Sequence, residues 1–251
     1  MRIDTLSTFP DMYRSVMGES MMKRAQDKGI LSFNAYDLRD WTHDRHRTTD
    51  DDPYGGGNGL VMKCAPIFEA FDDIVGERRA EDGVEVLFMA PCGVPFTDQV
   101  ANRLAKKSRL VFVCGHYEGI DERAYTLADS VISLGDYVLT SGELASMVVI
   151  DAVVRKLPGV LGAESGAETE SFADGLLEYP QYTRPATYRS LEVPPVLLSG
   201  DHGAVERWRR MQSIERTLRL RPDLLTPEVL AAFDERDSAY LQTLQSLPPR
   251  P

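Results

Sequence analysis

The chain has 251 residues, 43% apolar and 27% charged, enough for one sizeable core or a core with a smaller module. Its 28 basic and 39 acidic residues give a formal net charge of −11, a balance that taken alone argues against nucleic acid, because phosphate binding depends on Lys and Arg. Three scattered cysteines, Cys64, Cys92 and Cys114, exclude a disulfide framework and a Cys-x-x-Cys metal knuckle and point to a reducing, cytoplasmic setting; the charged start Met1-Arg-Ile-Asp does not read as a signal peptide, and no run of about 18 apolar residues reads as a membrane span.

In chain order, residues 2–9 form a short β-rich segment, 10–28 carry a helical pattern closed by Gly29, and 30–38 are extended again. A basic loop follows, with Arg39, Arg45 and Arg47 beside His43 and His46, and then Asp50, Asp51 and Asp52. His-x-x-His with no further histidine nearby is weak grounds for zinc, so a polar loop is expected and no metal is assigned. Residues 84–90 and 110–114 are compact apolar runs of buried-strand length, separated by a helix-like stretch, 97–107, with Thr97 as its N-cap. A third strand at 130–134 leads into a loop at Gly135, and 143–157 read as a buried helix. Strands alternating with helices imply a parallel sheet covered by helices.

Pro158 and Gly159 end that helix, and residues 159–174 are small and acidic without periodicity, as in a linker or mobile loop. After a proline-bearing run at 179–195, two helices are expected, near 202–220 and 227–247. The first carries Trp208, Met211, Ile214 and Leu218 on one stripe, with Arg209 and Arg216 on the opposite side. Residues 205–221 hold six arginines against two acids, a local balance of +4, which fits either an RNA-facing surface or a solvated helix.

Three successive strands end in glycine-bearing loops: Met89-Ala-Pro-Cys-Gly93, Cys114-Gly-His-Tyr-Glu-Gly-Ile-Asp-Glu-Arg123 and Ser133-Leu-Gly-Asp-Tyr-Val-Leu-Thr-Ser-Gly-Glu143. Ligands of open parallel sheets bind at the carboxyl ends of strands, where glycine lets them approach the backbone. Gly-x-Gly-x-x-Gly after a strand and Gly-x-x-x-x-Gly-Lys-Ser/Thr are both missing, which disfavours nicotinamide and nucleoside-triphosphate chemistry. The loops alone indicate a small-ligand site of open identity.

These residues, with Tyr54-Gly-Gly-Gly-Asn-Gly59, Leu157-Pro-Gly-Val-Leu-Gly162, Tyr182-Thr-Arg-Pro185 and Pro194-Pro-Val-Leu-Leu-Ser-Gly200, make the chain closely resemble the bacterial tRNA (guanine-N1)-methyltransferase family, in order and over nearly its whole length. The resemblance implies an α/β fold with a deep trefoil knot of the SPOUT class, a rare exception to unknotted topology, and a small C-terminal α-helical domain. It divides the chain into residues 1–160, the knotted cofactor-binding domain; 161–180, a flexible linker carrying the base; and 181–251, a helical tRNA-binding domain. It further implies a cytoplasmic homodimer with an active site shared between subunits, acting on tRNA and not on DNA or a membrane, at the guanine in position 37 beside the anticodon.

On the family pattern S-adenosylmethionine lies against Met89, Pro91 and Gly93 of the first loop, Gly115, Tyr117, Glu118 and Gly119 of the second, and Leu134, Gly135, Asp136, Tyr137, Val138, Leu139 and Gly142 of the third. The chain has Ala90 and Cys92 where the family commonly has Ser and Gln, His116 where Arg is common, and Ser141 where glycine is common. Ser141 therefore puts a β-carbon where close packing or positive φ is expected.

Guanine N1 is a poor nucleophile until its proton is removed, so methyl transfer calls for a base near N1 and a cation or donor near O6. The family's base, an aspartate in Asp-Ser-Phe, matches Glu170 before Ser171 and Phe172, with Asp174 as the fallback, and the matching arginine is Arg155. Arg184, Arg209 and Arg216 are the phosphate-contact candidates for the anticodon stem-loop. Magnesium is associated with the family, and spacing in the chain gives it no ligands. A related knotted enzyme acting on another RNA, and a non-enzymatic RNA-binding module, remain the competing readings.

Overall fold

A computed structural model describes residues 1–80, 83–161 and 170–246. The chain divides into two units, Met1–Glu164 and Ser165–Pro251. In the first, the elements are β1 (Arg2–Ser7), α1 (Arg14–Met17), α2 (Ser20–Asp27), β2 (Ser32–Asp37), β3 (Asp50–Asp51), β4 (Val61–Met62), α3 (Cys64–Ile74), β5 (Val84–Pro95), α4 (Asp98–Leu104), β6 (Arg109–Cys114), β7 (Ser130–Ser133) and α5 (Gly142–Val154).

The five long strands form one all-parallel sheet in the order β2-β1-β6-β5-β7. Its central strands are buried on both faces, which is why they read as unbroken apolar runs. Leu110, Phe112 and Cys114 of β6 pack on one side with Tyr13, Met17 and the α5 residues Val149 and Val153. Val111 and Val113 pack on the other with Ile67, Ala70 and Phe71 of α3. The parallel sheet covered by helices is thus the α/β class expected from the alternation of elements.

Several boundaries differ from the sequence reading. The helical pattern at 10–28 breaks into a 3-10 turn (Pro10–Tyr13), α1 and α2, with Ser20 at φ 47° where the chain turns. β5 runs on to Pro95, but its register on β7 slips: Met89 and Val94 both face Ile132, so Ala90–Gly93 is extruded as a loop from a continuing strand. Helix α3 carries an apolar face, Ile67, Ala70 and Phe71, behind a proline in its first turn, a signal the sequence reading passed over. The β3–β4 ribbon, two residues a side, is too short to announce itself by alternation.

The second unit contains β8 (Thr187–Tyr188), β9 (Leu191–Glu192), α6 (His202–Leu220), α7 (Pro227–Ala231) and α8 (Glu235–Ser246). Leu176, Ile214 and Leu241 form its core. The expected helix at 227–247 is two helices, because Asp234 interrupts it and accepts a hydrogen bond from the backbone of Asp237 at 2.6 Å as a cap. Asp237 is 5% exposed and binds Arg207 at 2.7 Å and Arg210 at 2.8 Å, tying α8 to α6. Leu176 is buried in this core and the Leu177 amide donates to Thr217 Oγ1 at 2.9 Å, so the end of the segment read as linker is packed. No described helix is long and apolar enough to cross a membrane.

Candidate active site

Because β6, β5 and β7 are adjacent and parallel, their carboxyl ends deliver the three glycine-bearing loops to one edge of the sheet. A cleft of about 160 Å³ lies between them. Met89 and Pro91 line it from the first loop, Gly115, Tyr117, Glu118 and Gly119 from the second, and Leu134, Tyr137, Val138, Leu139 and Gly142 from the third. The other three residues expected there are not in the lining. A β-carbon on Gly93 would lie 2.5 Å from the backbone of Ile132, Gly135 sits under the Tyr137 ring, and Asp136 is exposed. Ile120, Tyr125, Thr140 and Ala145, which the motif reading did not single out, also line it, as do Ala90, His116, Ile132, Ser133 and Ser141.

The cleft is held by backbone. The Gly142 amide donates to the Gly115 carbonyl at 2.7 Å, and a β-carbon at position 142 would stand 2.7 Å from Gly115 N. Close packing therefore falls on Gly142, not on Ser141, which is extended at φ −156° and carries its β-carbon without strain. That corrects the expectation for Ser141. The second loop is zipped to the β3–β4 ribbon: the Glu118 amide donates to Leu60 O, Met62 N to Gly119 O and Asp121 N to Met62 O, all at 2.9–3.0 Å. Of the glycine run at 55–59, Gly59 belongs to this clamp, since a β-carbon there would meet Glu118 Cγ at 2.5 Å. Tyr117 is held at φ 58°, an outlier for a bulky residue of the kind found at ligand sites.

Beneath the loops lies a buried polar network. Ser7 Oγ donates to Glu143 Oε1 at 2.5 Å, while the Tyr13 hydroxyl meets Ser146 Oγ at 2.7 Å and Cys114 Sγ at 3.1 Å. Burial, and then the nearby Glu143 charge, push the Cys114 thiol up to about 12, and burial raises Tyr13 as well. Both stay protonated, so Cys114 is no nucleophile despite its place in the motif.

The charges lining the cleft discriminate between ligands. Its wall contains the carboxylate of Glu118, the rings of Tyr117, Tyr125 and Tyr137, the imidazole of His116, and no lysine or arginine. Such a lining suits a cationic ligand with a flat heterocycle and is poor for a dinucleotide pyrophosphate. S-adenosylmethionine, with a sulfonium, an ammonium and an adenine, fits this donor set, and the close approach at Gly142 provides the narrow backbone cradle.

Arg155, half-buried, stands at the C-terminus of α5 in the first unit; Glu170, half-buried, lines a cleft of about 800 Å³ in the second. Asp174, the fallback base, is ion-paired with Arg210. The arginines of α6 divide by role. Arg207 and Arg210 are bound to Asp237, and Arg221 just beyond the helix pairs with Asp223, whereas Arg209 and Arg216 have no ion pair among the described residues. Arg209 is exposed and lies over the Tyr179 ring at 4.8 Å; Arg184 shares an aromatic cavity with it; Arg216 lines a separate one beside Ser171. His43 bonds Glu69 at 2.7 Å, and Asp44 caps the turn at His46 and Thr48, which makes this loop a polar turn. No group of three metal-binding side chains occurs among the described residues.

Residues 1–227 match the family described as tRNA (Guanine-1)-methyltransferase TrmD. The chain is 49% identical over 245 residues to a protein of Desulforamulus reducens named tRNA (guanine-N(1)-)-methyltransferase, covering 97% of this chain and 96% of that one. Proteins of the same name from Heliobacterium modesticaldum and Staphylococcus epidermidis are 52% and 47% identical, over 94% and 97% of this chain and 88% and 97% of theirs.

Proposed function

The chain belongs to the tRNA (Guanine-1)-methyltransferase family and methylates guanine N1 in tRNA, and from that premise we propose that it moves the methyl group of S-adenosylmethionine to the guanine at position 37, with Glu170 taking the N1 proton. The observation that carries the cofactor assignment is the cleft itself: three strand-end loops, one carboxylate, three tyrosines and no lysine or arginine. When bound, the cofactor supplies an electrophilic methyl group on a cationic sulfur. Glu118 offers a counter-charge to that cation, and the backbone of residues 134–142 offers donors and acceptors for the adenine edge.

The rest of the chemistry falls to two side chains. Removal of the N1 proton leaves negative charge on O6, and Arg155 stabilises it while the carboxylate of Glu170 holds the proton. Glutamate in place of the family's aspartate lengthens the reach by about 1.5 Å, and a shift on that scale is worth up to about 100-fold in rate when nothing compensates. Asp174 is the fallback, and its carboxylate is paired with Arg210.

The reading includes the trefoil knot implied by the motif order, a C-terminal helical domain that takes the anticodon stem-loop, and a cytoplasmic homodimer with a shared site. Leu144 and Val148 support the dimer: one turn apart on the largely buried α5, they are 41% and 53% exposed, an apolar pair with no cover in one chain. Magnesium is assigned no residue. Glu170→Gln tests the base. Cofactor and tRNA affinity should be retained and single-turnover transfer lost by about 100-fold or more; near-normal transfer would remove Glu170 from the mechanism.

A further inference from the structure

We infer that the cavity between residues 179–186 and α6 holds an unstacked base of the substrate RNA, one that neighbours the methylated guanine. This rests on the tRNA-methylating reading above and names a subsite within it. The cavity, about 370 Å³, is lined by Tyr179, Tyr182, Arg184, Trp208 and Arg209, with Gln181 at its mouth among the polar groups. The Tyr182 and Trp208 rings lie 6.3 Å apart at 53°, and the Arg209 guanidinium stacks over Tyr179 at 4.8 Å.

The charge here is exceptional for this chain. The protein has 39 acids against 28 bases, yet this cavity presents two arginines and no carboxylate. The adjoining cleft under Glu170 carries six carboxylates. Neither Arg184 nor Arg209 is ion-paired to any described residue, and Arg209 stands on the border between this cavity and the carboxylate-lined cleft. Aromatic faces with guanidinium groups outside any ion pair, an amide side chain and no carboxylate in the lining are what a base with its flanking phosphates requires: the Tyr182 and Trp208 rings stack, the arginines meet the phosphates, and the Gln181 carbonyl, whose amide nitrogen donates to Glu178, reads an edge.

An apolar peptide would leave the two cations unsatisfied, and a free phosphate would leave the rings idle. A nucleotide uses both. Because the guanine to be methylated has to be splayed from the anticodon loop, its neighbours lose stacking partners, and a protein ring replaces what is lost.

The chain has two tryptophans, Trp41 and Trp208, so a Trp41→Phe protein reports on Trp208 alone. Titrated with an anticodon stem-loop transcript, its emission should be quenched, whereas S-adenosylmethionine alone should leave it unchanged. Tyr182→Ala, at a side chain 49% exposed, should raise the stem-loop Kd by about 5- to 150-fold with cofactor affinity intact. As a second readout, 4-thiouridine placed singly beside the target guanine should crosslink to the peptide containing Tyr182 or Trp208. Normal binding and methylation of the stem-loop, with no quenching, no crosslink and no effect of Tyr182→Ala, would overturn the inference while leaving the methylation reading intact. A Trp208 signal that follows protein concentration and ignores RNA would make the cavity a protein interface, and also overturn it. A stem-loop neither bound nor methylated would instead count against the reading on which the inference rests.

Discussion

Gly142→Ala tests whether the cleft depends on backbone packing. The added methyl would lie 2.7 Å from Gly115 N, 2.9 Å from Cys114 Cα and 3.1 Å from Cys114 C, all main-chain atoms that no side-chain rotation can move aside. The closest of these is about 0.7 Å short of ordinary contact at 3.4 Å. The second loop and the start of α5 must therefore separate, stretching the 2.7 Å bond from Gly142 N to Gly115 O. Overpacking of this kind costs about 1–3 kcal/mol, and a weakened buried hydrogen bond adds about 1 kcal/mol. A loss of about 2 kcal/mol lowers Tm by roughly 4–8 °C for a chain of this size. Since the parted loops form two walls of the cleft, S-adenosylmethionine affinity should fall about tenfold or more. Calorimetric titration with a thermal scan of the ligand-free protein reads both effects. Ser141→Gly is the control: at φ −156° it relieves no strain, so it should stay close to the parent in affinity. Parental affinity and Tm in Gly142→Ala would refute the dependence on packing.

Asp237→Ala should destabilise the helical unit by about 2–4 kcal/mol, because it leaves Arg207 and Arg210 without their shared buried carboxylate; chemical denaturation monitored at Trp208 measures it, and a change under about 1 kcal/mol would show that the pair contributes little. Iodoacetamide at pH 8 should label exposed Cys92 and spare Cys114 until the fold opens. Stability should also fall as pH rises from about 9 towards 12, since the unfolded chain releases the Cys114 proton from its ordinary value of 9.0 while the folded chain keeps it to about 12. A flat alkaline profile with rapid labelling of Cys114 would contradict its burial. Charge reversal at Arg209 and Arg216 should weaken tRNA binding and flatten its salt dependence, and an unchanged slope of affinity against salt would assign these arginines to solvent.

The strand-end loops were legible because a glycine that closes an apolar run marks the turn leaving a buried strand, and motif order supplied their ligand. Less legible was how they are held. Nothing in Tyr54–Gly59 as a string indicates that Gly59 abuts Glu118, or that a two-residue ribbon carries the hydrogen bonds of the cofactor loop. Gly93 packs against the β7 backbone, a demand set by the slip in β5 register and invisible to spacing. Ser141 looked strained by analogy with glycine, whereas the demand for a missing side chain sits one residue later. On α6 the arginine count was informative in total and misleading individually: the stripe pattern marked a helix face, but only tertiary contact shows that Arg207 and Arg210 serve Asp237 while Arg209 is left to the surface.

The measurement that bears most directly on the account is transfer of labelled methyl from S-adenosylmethionine to tRNA transcripts that differ only in the base just 3′ of the anticodon. The transcript with guanine there should be methylated, with the label recovered as 1-methylguanosine, and transcripts with adenine, cytosine or uracil should remain unlabelled. Equal labelling whatever the base, or label recovered at another guanine, would contradict the assignment.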